Sequence, residues 1–414
     1  MAIFKPFKAF RPQPSLSQAV ASKPYDVLNS SEAKDEAEGN PHSFLRVIKP
    51  EIELSEETDP YSDAVYEKGR ENFLKLCREG VFTQDSTPTY YLYRLTMNGR
   101  SQAGIVGCCE YQEYYDGRIK KHELTRTVKE NDRVHHVECL NANAEPVFFS
   151  YRGVSGINEF VDHALEGVPV CDFVADDGVR HELWTISEAG DVALLGKAFL
   201  SVPDLYVADG HHRTAAAARV GQKRKDSNPD HRGNEEYNFF MAVPFPDDQL
   251  EIFDYNRVVK DLNGLAPEDF LAALSADFDI TPAEQSCPRP SGLREFSLYL
   301  DGSWHELRAK PSTESSGSPI GDLDVTLLSE KVLGPILGIT DLRNDNRIDF
   351  VGGIRGLEEL EHRVDSGEMA AAFALFPVSM DQLLSIADAG EIMPPKTTWF
   401  EPKLRSGLFV HDLE

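Results

Sequence analysis

An apolar run that passes straight into a glycine and then an alanine-rich segment constrains this chain more than any other stretch: LYVADGHHRTAAAARVG, residues 205–221. The pattern predicts a buried strand ending at Asp209–Gly210, then a helix opening at His211 and closed by Gly221. Such a unit delivers its polar residues to one place. A helix N-terminus presents unpaired N–H groups and a partial positive charge, which suits phosphate. Gly210 lets the backbone turn closely, and Arg213 adds a planar fork for phosphate oxygens. His211 and His212 can donate to phosphate or move protons. Asp209 can hold Mg²⁺ or a substrate amine. Taken singly, Asp209 reads as a helix cap and the histidines as solvent-facing; the five-residue block reads as a phosphate site. Zinc fits poorly, because adjacent histidines diverge on a helix and no HExxH partner exists.

Around this unit the chain mixes tight hairpins with helix-linked strands, which argues an α+β fold over a regular doubly wound sheet. Two β-rich runs flank Asn98–Gly99, a two-residue turn with positive φ angles, and a second hairpin is expected about Asp301–Gly302. Residues 24–50 read as loop, short helix capped by Ser30 or Ser31, turn, then strand. Residues 59–82 read as a helix stopping at Gly80, and 120–141 as another helix. QKRKDSNPDHRGNEE, 222–236, has no apolar residue and reads as an exposed loop. Toward the end, RIDFVGG, GLEELEHRVDSG, MAAAFALFPV and MDQLLSIADAG alternate strand and helix, and 311–322 reads as a loop. The expected division is 1–245 for an N-terminal domain with the DGHHR block and 246–414 for a C-terminal α/β subdomain with the PKTT tail.

The chain has 414 residues and a formal net charge of −27. That charge repels phosphate backbones, so nucleic acid is not an expected partner. No run approaches the ~20 apolar residues that span a bilayer, and the N-terminus lacks an apolar signal run. Six scattered cysteines without a CxxC pair fit a reducing compartment, so a cytoplasmic, membrane-free protein is expected.

Two further segments bear chemistry. In KKHELTRTVKENDRVHH, Glu123 and Glu130 are seven apart, which on a helix puts them on roughly one face. One carboxylate can then take a hydroxyl proton; read alone, the acidic residues serve the helix dipole. In EIMPPKTTWFEP, two prolines stiffen the chain ahead of Lys396, Thr397 and Thr398, a donor-rich trio suited to phosphate. No GxxxxGK[ST] and no protein-kinase signature set is present.

KPYDV (23–27), HELT, LYVADGHHRTAAA, DYNRVVKDL, RIDFVGG and MPPKTTWFEPKLRSGL occur in that order. Together they resemble the bacterial family known as domain of unknown function 1015, over nearly the whole chain. That family in turn resembles the ParB/sulfiredoxin superfamily, which implies a mixed α/β core with hairpins. The superfamily includes the archaeal free L-serine kinase, whose D-G-H-H-R matches Asp209–Arg213. Its tail, G-E then P-K-T-T, matches Gly390, Glu391 and Pro395–Thr398. Its catalytic base, a glutamate in an H-E pair, matches His122–Glu123; its second glutamate falls on Lys129, one place before Glu130. The region 131–200 is larger here than in that kinase.

The resemblance implies a small-molecule kinase using Mg²⁺ with ATP or ADP and acting on a serine-like hydroxyl, with a nucleotide and a small amino acid as partners. It gives Glu123 and His211 catalytic roles, and Asp209 and His122 roles at the substrate, with Asp209 also at the metal. Gly210, His211, His212, Arg213, Lys396, Thr397 and Thr398 would bind the phosphates. Two other classes stay open: a nucleotide-binding switch like the CTP-binding partition proteins, which needs no Glu123, and a metal-dependent hydrolase using the histidines.

Overall fold

The computed structural model describes residues 2–313 and 317–414; residues 314–316 of the expected loop lie outside them. The chain forms two compact units, one of residues 1–121, 125–250 and 402–414, the other of 122–124 and 251–401. The chain thus leaves the first unit five residues beyond the boundary expected at 245 and returns to it at Pro402. The PKTT loop lies in the second unit, but the thirteen residues after Glu401 do not.

The first unit is built on a nine-stranded sheet. Its strands are β1 (Phe4–Lys5), β2 (Tyr90–Met97), β3 (Arg100–Glu110), β4 (Ile119–Lys120), β5 (Val147–Tyr151), β6 (Cys171–Val174), β7 (Arg180–Ile186), β8 (Leu205–Asp209) and β9 (Phe239–Pro246). They lie in the order β4-β8-β5-β9-β3-β2-β7-β6, with β1 also on β3. Asn98 (φ 52°) and Gly99 (φ 79°) close the β2–β3 hairpin, opposing Met97 to Arg100. β8 runs parallel to β4, and β9 parallel to β5; the other pairings are antiparallel. The sheet is therefore mixed and the class α+β. Its core gathers Tyr90, Leu92, Ile105, Phe149, Val207 and Phe240.

The helices here are α1 (Ser30–Ala37), α2 (Asp63–Arg78), α3 (Thr127–Leu140), α4 (Ser155–Ala164), α5 (Ala189–Phe199) and α6 (His211–Ser227). Four local expectations need correction. Asn29, not Ser30 or Ser31, caps α1, through a reciprocal box with Glu32. The strand expected at FLRVI is a helical turn, Leu45–Ile48, followed by a 3₁₀ turn; a short apolar run carries no period of its own. α3 begins at Thr127, so Glu123 precedes the helix and shares no face with Glu130. α6 continues through Gly221 to Ser227, taking in the first residues of the expected loop. A Cβ at Gly221 would come within 2.6 Å of the Tyr111 ring, so this glycine serves close packing and not termination.

The second unit holds a six-stranded sheet: β10 (Tyr255–Val259), β11 (Phe278–Pro282), β12 (Glu295–Leu300), β13 (Ser303–Ala309), β14 (Ile348–Gly352) and β15 (Ala371–Leu375). The order is β11-β13-β12-β15-β10-β14, antiparallel throughout. Asp301 (φ 47°) and Gly302 (φ 74°) close the expected hairpin. Helices α7 (Pro267–Leu274), α8 (Glu358–Asp365) and α9 (Met380–Asp388) accompany it, α9 with a Ser379–Gln382 capping box. Among the described residues no helix is long and apolar enough to cross a membrane, and all six cysteines are free thiols.

One buried acid of the first unit sets a pH dependence. Glu113 is 1% exposed; its Oε1 accepts the Ile3 N–H at 2.8 Å and lies 3.6 Å from Arg118 Nη1, an ion pair. Burial pushes its carboxyl up to about 7, against the opposing pull of that N–H and of Arg118. The folded chain holds a proton that the unfolded chain releases near 4.5, so this contribution is complete below 4.5 and lost as pH rises through about 7. Glu113→Gln should remove it: the Tm difference between variant and wild type should grow in the variant's favour from pH 4.5 to 8. A constant difference across that range would refute this account.

Candidate functional site

In the first unit, the polar block sits where β8 meets α6. The β8–β5 register slips between Val207 and Asp209, leaving Ala208 unmatched and re-aiming Asp209. Gly210 follows with φ 95°, and a Cβ there would stand 3.1 Å from the Arg213 guanidinium. The positive φ demands glycine, and a side chain here would also press on the guanidinium. Behind the site, Ala215, Ala216, Ala217 and Ala218 are buried and let α6 lie close to α3 and the sheet.

Asp209 is held by two cations: Arg213 Nη2 donates to Oδ2 at 2.8 Å, and Lys403 Nζ to Oδ1 at 3.1 Å. Burial raises the carboxyl, but Lys403 and Arg213 outweigh it and keep Asp209 far below the usual aspartate range. The Arg213 fork is already engaged, its other arm donating to the Pro146 carbonyl at 2.6 Å. This arginine therefore orients Asp209 through one arm, while its Nε has no hydrogen-bond partner. Beside it, buried Glu145 accepts from the Tyr25 N–H (3.1 Å), Arg133 (3.2 Å) and Ser406 (3.3 Å).

His211 is buried at the first position of α6, and half-buried His212 follows. The His212 Nε2 accepts the Arg126 N–H at 2.9 Å. Arg126 is the cap residue of α3. The N-termini of α3 and α6 are thereby tied together, and their partial positive charges add. Glu130, in the first turn of α3, accepts from Thr125 (2.7 Å) and Arg219 (2.8 Å). Burial opposes ionisation, and these two donors overcome it to lower its carboxyl.

In the second unit, His122 is buried, and its Nε2 lies 3.1 Å from the Thr398 hydroxyl. Its carbonyl accepts the Met393 N–H at 2.8 Å. The H-E pair and the P-K-T-T loop, far apart in sequence, thus meet. Half-buried Glu123 stands in an irregular segment beside this contact. Lys396 is exposed and has φ 59°, a left-handed conformation that a lysine rarely adopts. The Thr397 hydroxyl bonds the Pro394 carbonyl at 2.6 Å, and Trp399–Phe400 pair with Ile252–Phe253 to anchor the loop's far side.

The structure thus brings Asp209, Gly210, His211, His212 and Arg213 together in one unit, and His122, Glu123 and Lys396–Thr398 in the other. Sequence reasoning missed Lys403, Glu145 and Arg133. Lys403 carried a signal, a lysine directly after the tail motif; Glu145 and Arg133 carried none. Among the described residues no group of three or more His, Cys, Asp or Glu side chains is placed to hold a metal ion.

The chain is therefore an α+β protein with a polar block at a strand–glycine–helix junction. A family model described as Protein of unknown function (DUF1015) matches residues 4–326, and the chain belongs to this family. No match among curated proteins is found. Among solved structures, the chain is similar to a conserved hypothetical protein from Pyrococcus furiosus, with 14% identity, 75% of this chain and 97% of that chain covered, and a TM-score of 0.37. It is also similar to a free serine kinase in complex with AMP, with 13% identity, 74% and 90% covered, and a TM-score of 0.38. A third is SbnI with a C-terminal truncation from Staphylococcus aureus, with 9% identity, 73% and 85% covered, and a TM-score of 0.37.

Arg213→Met tests the clamp on Asp209. Breaking a buried pair by removing one partner costs about 3–5 kcal/mol, so denaturant unfolding should show a loss of that order. A loss below about 0.5 kcal/mol, the size usual for surface changes, would mean that Lys403 alone secures Asp209.

Proposed function

We propose that this protein is a nucleotide-dependent phosphotransferase acting on a small hydroxyl compound, with free L-serine as the leading acceptor and O-phosphoserine as the product. The observation that carries the reading is the contact of His122 with Thr398, which joins the H-E pair to the P-K-T-T loop. Phosphoryl transfer chiefly requires positioning and charge stabilisation. Gly210, His211, His212 and the paired N-termini of α3 and α6 supply donors to phosphate; Lys396, Thr397 and Thr398 supply more. Arg213 acts through Asp209, which it holds ionised. Glu123 accepts the hydroxyl proton, His211 assists, and His122 fixes the loop.

Mg²⁺ fits this scheme in one form: Asp209 offers a single carboxylate, and Mg²⁺ is commonly held by one or two carboxylates together with phosphate oxygens and water. When bound, the ion would neutralise phosphate charge, and Asp209, whose two oxygens each keep a lone pair beyond the one taken by Arg213 or Lys403, would be its protein carboxylate. ATP and ADP are both candidate donors. The scheme involves no nucleic acid or membrane and suits a cytoplasmic enzyme.

The test is incubation with ATP or ADP, Mg²⁺ and a pooled amino-acid set, with phosphorylated products read by mass spectrometry. O-phosphoserine should form in proportion to nucleotide consumed. A general base contributes about 10²–10⁴-fold, so Glu123→Gln should lose turnover by that factor while nucleotide affinity holds. Nucleotide loss without any phosphorylated amino acid would defeat the reading and favour a nucleotide-binding switch.

A further inference from the structure

Two motifs of the second unit, DYNRVVKDL and RIDFVGG, take no part in the chemistry described above, and both reach the P-K-T-T loop. Arg257, of the first, is fully buried on β10. Its Nη1 donates to the Tyr255 carbonyl of its own strand and its Nη2 to the Pro395 carbonyl at 3.3 Å. Gly352, of the second, ends β14 under the Trp399 ring, where a Cβ would come within 2.8 Å of the indole. Its φ of −65° is open to any residue, so this glycine serves the ring contact alone. The Tyr255 ring packs edge-on against Trp399 at 5.1 Å between centroids, and Lys396 Nζ lies 5.7 Å from the same ring. The loop is thus fastened on both sides of Lys396.

The consequence of that fastening lies in the turn. Pro395 and Lys396 are its two central residues. Proline first and a residue with φ 59° second fit the type II form, whose second place favours glycine or asparagine. The type I form accepts the same proline and would leave Lys396 unstrained at φ about −90°. The two forms differ by rotation of the one peptide between Pro395 and Lys396, which swings the Pro395 carbonyl to the opposite face. Arg257 holds that carbonyl on the face it occupies when Lys396 is left-handed. Its bond therefore belongs to one form and is lost in the other.

We propose that Arg257 is a positioning residue for Lys396. Its bond to the Pro395 carbonyl keeps the turn in the left-handed form and so sets the direction in which the lysine ammonium leaves the loop. The use of that direction, to meet a nucleotide phosphate, rests on the phosphotransferase reading; the hold on the turn does not.

A double-substitution cycle on the full chain, without nucleotide, tests the hold. Lys396→Gly should raise Tm, because glycine takes a positive φ freely. With Arg257→Met also present the turn relaxes, and Lys396→Gly should no longer raise Tm. Equal gains in both backgrounds, as independent sites give, or no gain in either, would overturn the proposal. Should Arg257→Met fail to fold, Gly352→Ala takes its place: its methyl displaces Trp399 and the loop with it, and a full Lys396→Gly gain there would overturn the proposal as well. Calorimetry with ADP reads the consequence. Lys396→Met and Arg257→Met should each weaken ADP about 10- to 150-fold, as befits loss of one charged hydrogen bond. The double variant should bind no more weakly than the weaker single one, whereas effects that multiply would assign Arg257 to the frame and refute its action through Lys396. A wild type that binds no ADP would remove the phosphotransferase reading and leave the Tm cycle to decide the hold; a failed cycle with ADP bound would do the reverse.

Discussion

Everything in the first unit's polar site depends on one carboxylate held between two cations. Asp209 stands at the end of a strand, meets Arg213 one helical turn further on, and meets Lys403 from the segment that returns to this unit at the end of the chain. Neither cation could be lost cheaply. Arg213 is buried and carries the Pro146 carbonyl on its other arm; Lys403 is mostly buried as well. The clamp therefore performs three tasks in one place. It fixes the junction of β8 and α6, it anchors the C-terminal return, and it keeps Asp209 ionised against the cost of burial.

The site is also an electrostatic exception. The chain carries a net charge of −27, which disfavours the approach of any anion at long range. Close to Asp209 the side-chain charges cancel: Arg213, Lys403 and Arg133 are paired with Asp209, Asp132 and Glu145. What is left over are backbone donors, at the N-termini of α3 and α6 joined through Arg126 and His212. An anionic ligand would be recognised at contact distance, by directed N–H groups, and not by the field of the molecule. That arrangement favours small, compact anions over polyanions, whose length keeps much of their charge against the acidic surface.

How much of this was readable beforehand follows from how local each feature is. The strand–glycine–helix unit, the Asn98–Gly99 and Asp301–Gly302 hairpins and the closing alternation of strand and helix are short-range patterns, and the fold contains each. The H-E pair, the D-G-H-H-R block and the P-K-T-T loop were legible as motifs of a family. The partners that make them work were not. Lys403 lies 194 residues from Asp209, and Glu145 lies 120 from Tyr25; nothing in a local window specifies either pairing. The errors have the same origin. Gly221 looked like a helix stop because its neighbour in space, Tyr111, is 110 residues away, and Glu123 was drawn into a helix because polar residues before a cap look helical.

The buried arginines reach the interior in two different ways. Arg133 and Arg213 reached the interior together with carboxylates, so each pair replaces lost hydration with directed hydrogen bonds. Arg257 reached it with two carbonyls and an aromatic ring. Its fork spans two carbonyls on separate segments, Tyr255 of β10 and Pro395 of the P-K-T-T loop, a reach and a donor number that no neutral side chain combines, and so it ties the loop to the sheet from within.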